Sequence, residues 1–213
     1  MIEFFKGSGI LADTFKEAGY EVFTIDNNPM FAPDLCIDIL NFKIDMLPGF
    51  FRAPDVIHFG VPCQKFSIAG RSNNFINFMP VDLESCKALG LVYKCLDLVK
   101  ELNPGSWFLE NPIGYLRKFP FMEKYPRKEV WYCQYGDDKA KPTDFWTNRV
   151  DWIPKKCYNE NPNCSHERSP RGSKCGTQGL SNSYTRGIYP KGLCIEIVEV
   201  CDNKKKEIQG VLK

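Results

Sequence analysis

"MIEFFKGSGILADTFKEAGYEVFTID", residues 1–26, carries the reading that decides the fold. A short apolar run, "MIEFF", ends at the glycine turn "KGSG", as a buried strand does when the chain leaves a sheet. "ILADTFKEAG" follows with apolar Leu11, Phe15 and Ala18 at helical spacing and Gly19 at the position of a C-terminal cap. "YEVFTID" then returns to strand character and stops at Asp26. Strand, glycine turn, helix and strand in this order describe a βαβ unit with a parallel sheet.

The rest of the chain extends that unit. "DLCIDI" reads as a third strand and "PDVIHFGV" as a fourth, whose near-continuous apolar character fits a buried parallel strand. Residues 68–81 show no clear period and read as a mobile loop. Asp82 stands where it can cap a long helix striped by Leu89, Val92, Leu96, Val99 and Leu102, which Pro104-Gly105 ends. "SWFLEN", "EVWYCQYG" and "DFWTN" supply further strands, and "PKGLCIEIVEV" a closing helix. The expected class is α/β, a mainly parallel sheet with helices on both faces. The expected organisation is a catalytic core over 1–153, a short basic irregular lobe over 154–188, and a C-terminal helix over 189–213 packing back on the core.

Composition narrows the function classes. A chain of 213 residues buries enough surface to form a core without metal or disulfide. The net charge of +2 excludes a strongly basic nucleic-acid coat and leaves room for a local basic face. No apolar run reaches the length of a membrane span, so no membrane partner is expected. "MIEFFKGSGILADTF" lacks the pattern of an export signal, so the ten cysteines are expected as thiols in a reducing, cytoplasmic compartment.

Three features carry chemistry. "FKGSG" (Phe5 to Gly9) opens a helix directly after a strand, with Asp26 at the next strand end and Asp38-Ile39 at the third. Glycines there let a backbone approach a ligand, and a carboxylate at Asp26 can hold ribose hydroxyls. A tight turn with a solvated Asp26 explains the same residues without a ligand. Cys63 follows Val61-Pro62 just past the carboxyl end of its strand, the edge at which open sheets bind ligands. It reads either as a nucleophile or as an inert thiol. "FLENP" (Phe108 to Pro112) brings Glu110 and Asn111 to the same edge, as a proton donor or as a helix cap.

Taken together, "FFKGSGILADTFKEAGYEVFTIDNNP", "PDVIHFGVPCQKFSIAGR" and "FLENP" resemble, in this order and spacing, the DNA (cytosine-5) methyltransferases. The matching motifs are Phe-x-Gly-x-Gly, Pro-Cys-Gln and Glu-Asn. "CQYG", "KPTDFWTN" and "HERSPRGSKCGTQG" are similar to the compact variety found in phages and mobile elements. The resemblance implies a Rossmann-like S-adenosylmethionine-dependent methyltransferase fold. It implies that Cys63 attacks C6 of a flipped-out cytosine, that Glu110 protonates or holds N3, and that Asn111 and Gln134 position the base. Phe5, Gly7, Gly9, Asp26, Asn27, Asp38, Ile39 and Pro62 would line the S-adenosylmethionine pocket. Gln64, Ser67 and Arg71, on a loop closing over the base, would meet double-stranded DNA, as would Lys139, Lys141, Arg168 and Arg171. A monomer is expected. Methylation of RNA cytosine, or a non-catalytic DNA-binding homologue, are the alternatives.

The chain departs from the family pattern at several places. Ile10 replaces the glycine after the second motif glycine, and Glu3 replaces the first-strand aspartate. The arginine pair of the Gln-x-Arg-x-Arg motif is missing, with only Lys139 and Lys141 nearby; a lysine is a point charge without a bidentate fork. The recognition region is short, and its basic residues read either as phosphate contacts or as a solvated loop. Within it, Cys157, Cys164, His166 and Cys175 are either zinc ligands or incidental thiols; without a tight Cys-x-x-Cys knuckle, no metal site is assigned.

Overall fold

The computed structural model describes residues 1–67, 71–166 and 183–211. In chain order the elements are β1 (Ile2–Phe4), α1 (Ile10–Glu17), β2 (Phe23–Asp26), β3 (Leu35–Cys36), β4 (Val56–Gly60), α2 (Arg71–Asn74), β5 (Phe75–Ile76), β6 (Met79–Pro80), α3 (Leu83–Leu102), β7 (Ser106–Pro112), β8 (Arg127–Trp131), β9 (Pro142–Thr147), α4 (Ser183–Gly187) and α5 (Lys191–Val211). Seven strands form one sheet in the order β3-β2-β1-β4-β7-β9-β8. The first five of these are parallel, while β9 runs antiparallel to both β7 and β8. The order reverses at β1 and β4, which makes the crevice beyond their carboxyl ends the topological switch point of a Rossmann-like fold.

The opening unit folds as its residues dictate. Ile2 pairs with Phe23 and Phe4 with Ile25 in parallel register. Helix α1 ends in a Schellman motif: Gly19 N–H donates to Lys16 O at 2.9 Å, and Tyr20 N–H to Phe15 O at 3.0 Å, with Gly19 at φ 84°. The two sheet faces carry separate cores. Val92, Cys95, Leu96 and Leu98 of α3 pack on one face with Phe4, Phe59 and Leu109. On the other face, Leu11 and Phe15 of α1 join Leu193, Ile197 and Val198 of α5. Burying both faces explains why the central strands are apolar at successive positions. Asp82 caps α3 by accepting the Ser85 N–H at 2.6 Å.

Three elements differ from the sequence reading. The third strand is only Leu35–Cys36, because the Asp38 carboxylate accepts the Leu40 N–H at 2.9 Å and starts a 3-10 turn. The strand expected over "EVWYCQYG" stops at Trp131; Tyr132–Tyr135 coil into a 3-10 turn that Gly136 closes at φ 94°. The aperiodic stretch contains α2 and the β5–β6 hairpin, whose turn residues Asn77 and Phe78 both have positive φ. Residues 154–166 form no helix or strand. No helix among the described residues is long and apolar enough to cross a membrane.

Candidate active site

A cavity of about 360 Å³ opens at the switch point. Its wall includes Phe5, Asp26, Asn27, Asp38, Ile39 and Pro62, six of the eight residues expected to hold a cofactor. Gly7 and Gly9 act through the turn that shapes it. Phe5, Gly7 and Gly9 have φ of 59°, 51° and 74°, so the chain between β1 and α1 passes repeatedly through the left-handed region. Gly7 N–H donates to Asp26 Oδ2 at 3.1 Å and Asn28 N–H to Asp26 Oδ1 at 2.8 Å. That carboxylate thus fastens the glycine turn to the end of β2, and it also lines the cavity. Lys6 Nζ donates to the carbonyls of Phe31 and Ala32 at 2.7 and 2.8 Å, closing the turn from outside.

Cys63 comes next in the chain after Pro62, which shares the cavity wall, and it is half-buried. Its loop is held from β7. Buried Asn111 donates from Nδ2 to Val61 O at 3.1 Å, so the Glu-Asn pair fixes the exit of β4 two residues before the thiol. Asn111 Oδ1 is buried without a hydrogen-bond partner among the described residues. Gly114 makes the second tie. Tyr115 N–H donates to Phe66 O at 2.6 Å, and a Cβ on Gly114 would collide with that same carbonyl oxygen. Only glycine allows this approach of the two loops.

Glu110 is 6 % exposed, and burial pushes its carboxyl above the usual carboxylate range. Tyr132 Oη donates to Glu110 Oε1 at 3.4 Å, and Lys141 Nζ stands 4.0 Å from the same oxygen. Lys141 is 5 % exposed, has φ 25°, and lies over the Tyr132 ring at 4.1 Å. Burial lowers its pKa, opposed by the negative charges of Glu110 and of Cys63 in its thiolate form. Glu110 also reaches Tyr189, whose hydroxyl lies 3.3 Å from His58 Nε2. The arrangement therefore puts a thiol, a carboxyl disposed to carry a proton, and a buried cation at one sheet edge. Such a set can add a sulfur nucleophile to an electron-poor ring and stabilise the charge that develops.

Other expected site residues fall elsewhere. Lys141, expected among the DNA contacts, is interior and belongs with Glu110. Gln134, expected beside the base, donates from Nε2 to Cys164 Sγ at 3.5 Å and to Cys133 Sγ at 3.8 Å, and so faces a thiol cluster. Lys139 sits in the turn before β9, with its N–H on Asp137 Oδ1 at 2.8 Å. Gln64 and Ser67 are exposed, and Gln64 also lines the cavity. Arg71 opens α2. Arg168, Arg171 and Cys175 lie outside the described residues. Sequence reasoning missed Tyr132 and Tyr189 beside Glu110. Only their aromatic character next to "CQYG" and before the last helix was visible, and that reads equally as core.

Comparison with known proteins identifies the family. Residues 1–118 match the family model for the C-5 cytosine-specific DNA methylase. A protein of Frog virus 3 (isolate Goorha), "Probable DNA (cytosine-5)-methyltransferase", is 26% identical over 202 residues, spanning 86% of this chain and 90% of its own. Among solved structures, the Entamoeba histolytica methyltransferase EhMeth aligns at TM-score 0.49 and 15% identity, over 75% of this chain and 57% of its own. A mutant of Spodoptera frugiperda DNMT2 aligns at TM-score 0.44 and 17% identity, over 74% of this chain and 53% of its own. The chain thus spans little more than half the length of these two solved proteins. The matched segment takes in the glycine turn, Cys63 and Glu110 and covers more than half of the 213 residues: the chain belongs to the C-5 cytosine-specific DNA methylase family.

Proposed function

We propose that the chain transfers a methyl group from S-adenosylmethionine to C5 of a flipped-out cytosine in double-stranded DNA, through a covalent adduct on Cys63. The observation that carries this reading is the position of Pro62 and Cys63: the first lines the cavity, and the second follows it on the edge shared with Glu110 and Lys141. The cavity suits the donor. Ile37, Ile39 and Leu91 offer an apolar wall for a heteroaromatic ring, and Asp26 and Asp38 offer carboxylates for hydroxyl or ammonium groups. Bound there, S-adenosylmethionine would supply an electrophilic methyl carbon.

The chain's own residues account for the remaining steps. The Cys63 thiolate forms a bond to C6, and the displaced electron pair makes C5 nucleophilic. Glu110, holding its proton through burial, gives it to N3 and becomes a carboxylate. Lys141 and the Tyr132 hydroxyl then neutralise that carboxylate in a site of low dielectric. C5 takes the methyl group and then loses its proton to water; the electron pair of that C–H bond re-forms the C5–C6 double bond as the thiolate leaves, and N3 returns its proton to Glu110. Lys141 supplies here the positive charge that the missing motif arginines would have carried.

Incubation with labelled S-adenosylmethionine and duplex DNA tests the reading. Label is expected at cytosine C5 in DNA, with transfer abolished in Cys63→Ala. Transfer to RNA alone, or transfer undiminished in Cys63→Ala, contradicts it.

A further inference from the structure

Three of the thiols that the catalytic reading leaves unused converge on one point with His166. Sγ of Cys133, Cys157 and Cys164 and a ring nitrogen of His166 all lie within 4.8 Å of one another. His166 Nδ1 stands 3.1 Å from Cys164 Sγ and 3.8 Å from Cys157 Sγ. Tetrahedral zinc, with bonds of about 2.3 Å to sulfur and 2.0–2.1 Å to nitrogen, sets neighbouring ligand atoms roughly 3.5–3.8 Å apart. The observed cluster needs only small side-chain movements to reach that geometry. We propose that Cys133, Cys157, Cys164 and His166 bind one structural zinc ion.

Two further observations favour a metal over four incidental side chains. Amide N–H groups are aimed at the sulfurs: Asn161 Nδ2 to Cys157 Sγ at 3.2 Å, and Gln134 Nε2 to Cys164 Sγ at 3.5 Å and Cys133 Sγ at 3.8 Å. A neutral thiol is a weak acceptor, whereas a metal-bound thiolate gains from such donors, which orient and charge-balance the ligands. The cluster also lies where the fold lacks other support. Residues 154–166 have no helix or strand, and their main-chain ties to the core are few, such as Trp131 N–H on Lys155 O at 3.3 Å. A Cys3His site would fasten this segment to the turn that follows β8. The same turn carries Gln134, so the metal would fix the base of the recognition lobe.

The sequence suggested Cys157, Cys164, His166 and Cys175; Cys175 lies outside the described residues, and among the described residues Cys133 supplies the fourth ligand atom. Spacing along residues 157–175 cannot show a thiol contributed from the far side of β9. The site is closed, with four protein ligands, so it has a structural and not a hydrolytic role.

Metal content is independent of methyl transfer and therefore separates this proposal from the function above. The full-length chain is refolded under reducing conditions with zinc chloride, desalted, and analysed by elemental mass spectrometry. One zinc per chain is expected. Cobalt(II) in its place should give the intense visible bands of a tetrahedral thiolate site. Cys133→Ser and Cys164→Ser should each lose the metal, and Cys175→Ser should keep it. Asn161→Ala leaves the ligands intact and should weaken zinc by about 10–100-fold in chelator competition. A wild-type chain that retains no zinc overturns the proposal without requiring any variant to fold. Metal kept by Cys133→Ser but lost by Cys175→Ser overturns the ligand set.

Discussion

Lys141 Nζ stands 4.0 Å from Glu110 Oε1, with both side chains almost wholly enclosed by protein. Burying a cation is costly unless it is paired. Here the Tyr132 ring at 4.1 Å and the Tyr189 ring at 5.8 Å face the cation, and Glu110 becomes its counter-ion once it has given up its proton. Replacing this cation should therefore affect the reaction more than DNA binding. Lys141→Met is expected to lower kcat by about 10²–10³-fold, the usual effect of removing one preorganised electrostatic contact. Filter binding to duplex DNA should change little. A variant that loses DNA affinity and keeps kcat would return Lys141 to the phosphate contacts.

Gly114 is the second test of the site. Its missing Cβ leaves room for Phe66 O, three residues after Cys63, and the Tyr115 N–H···O bond closes the contact. Gly114→Ala must push that carbonyl away and move the thiol loop with it. Misplacement near 1 Å costs on the order of 10² in rate. Single-turnover methylation should show that loss, while calorimetry with S-adenosylmethionine should show unchanged affinity.

Asp26 has the opposite signature. Its carboxylate holds Gly7 and Asn28 by their N–H groups and faces the cavity. In Asp26→Ala both donors lose a charged partner, worth about 1.5–3 kcal/mol for each such bond. S-adenosylmethionine binding should weaken by about tenfold to a hundredfold. Calorimetry reads this directly, and unchanged affinity would remove Asp26 from the cofactor site.

Stability should depend on pH through the buried pair Glu3 and His58, of which the sequence reading noted only Glu3, as a departure from the family pattern. Burial lifts Glu3 from 4.5 to about 8 and drops His58 from 6.5 to about 3, with His58 Nδ1 at 4.0 Å from Glu3 Oε1. The Glu3 contribution is complete below its unfolded value of 4.5 and is lost as pH rises towards about 8. The His58 contribution is complete above 6.5 and is lost as pH falls towards about 3. The two slopes oppose each other between 4.5 and 6.5, and only the Glu3 slope remains from 6.5 to about 8. Glu3→Gln removes that slope, so it should gain on the wild type by about 1.4 kcal/mol per pH unit over this interval. Urea unfolding at several pH values measures it, and parallel curves would contradict it.

What the sequence made legible follows from local physics. The βαβ opening, the cap at Asp82 and the strand end at Cys63 all rest on periodicity and turn residues within a few positions of one another. The glycine turn and Asp26 could be brought to one edge because they lie at the ends of neighbouring parallel strands, but the Gly7 N–H···Asp26 bond appears only in the structure. Lys141, Gln134 and Cys133 could not be placed, because their environments come from contacts between distant segments. The turn at Tyr132–Tyr135 directs Cys133 and Gln134 towards residues 157–166. The antiparallel return of β9 carries Lys141 inward against Glu110. No spacing rule along the chain encodes either event.

The covalent role of Cys63 is the centre of the account. A duplex with 5-fluorocytosine at target positions, incubated with the protein and S-adenosylmethionine, halts the reaction after methyl addition because fluorine cannot leave as a cation. Mass spectrometry of the digested complex is predicted to find the nucleotide bonded to the Cys63 peptide, with no adduct in Cys63→Ala. Methylation of ordinary duplex without any trapped adduct, or an adduct that survives in Cys63→Ala, would contradict it.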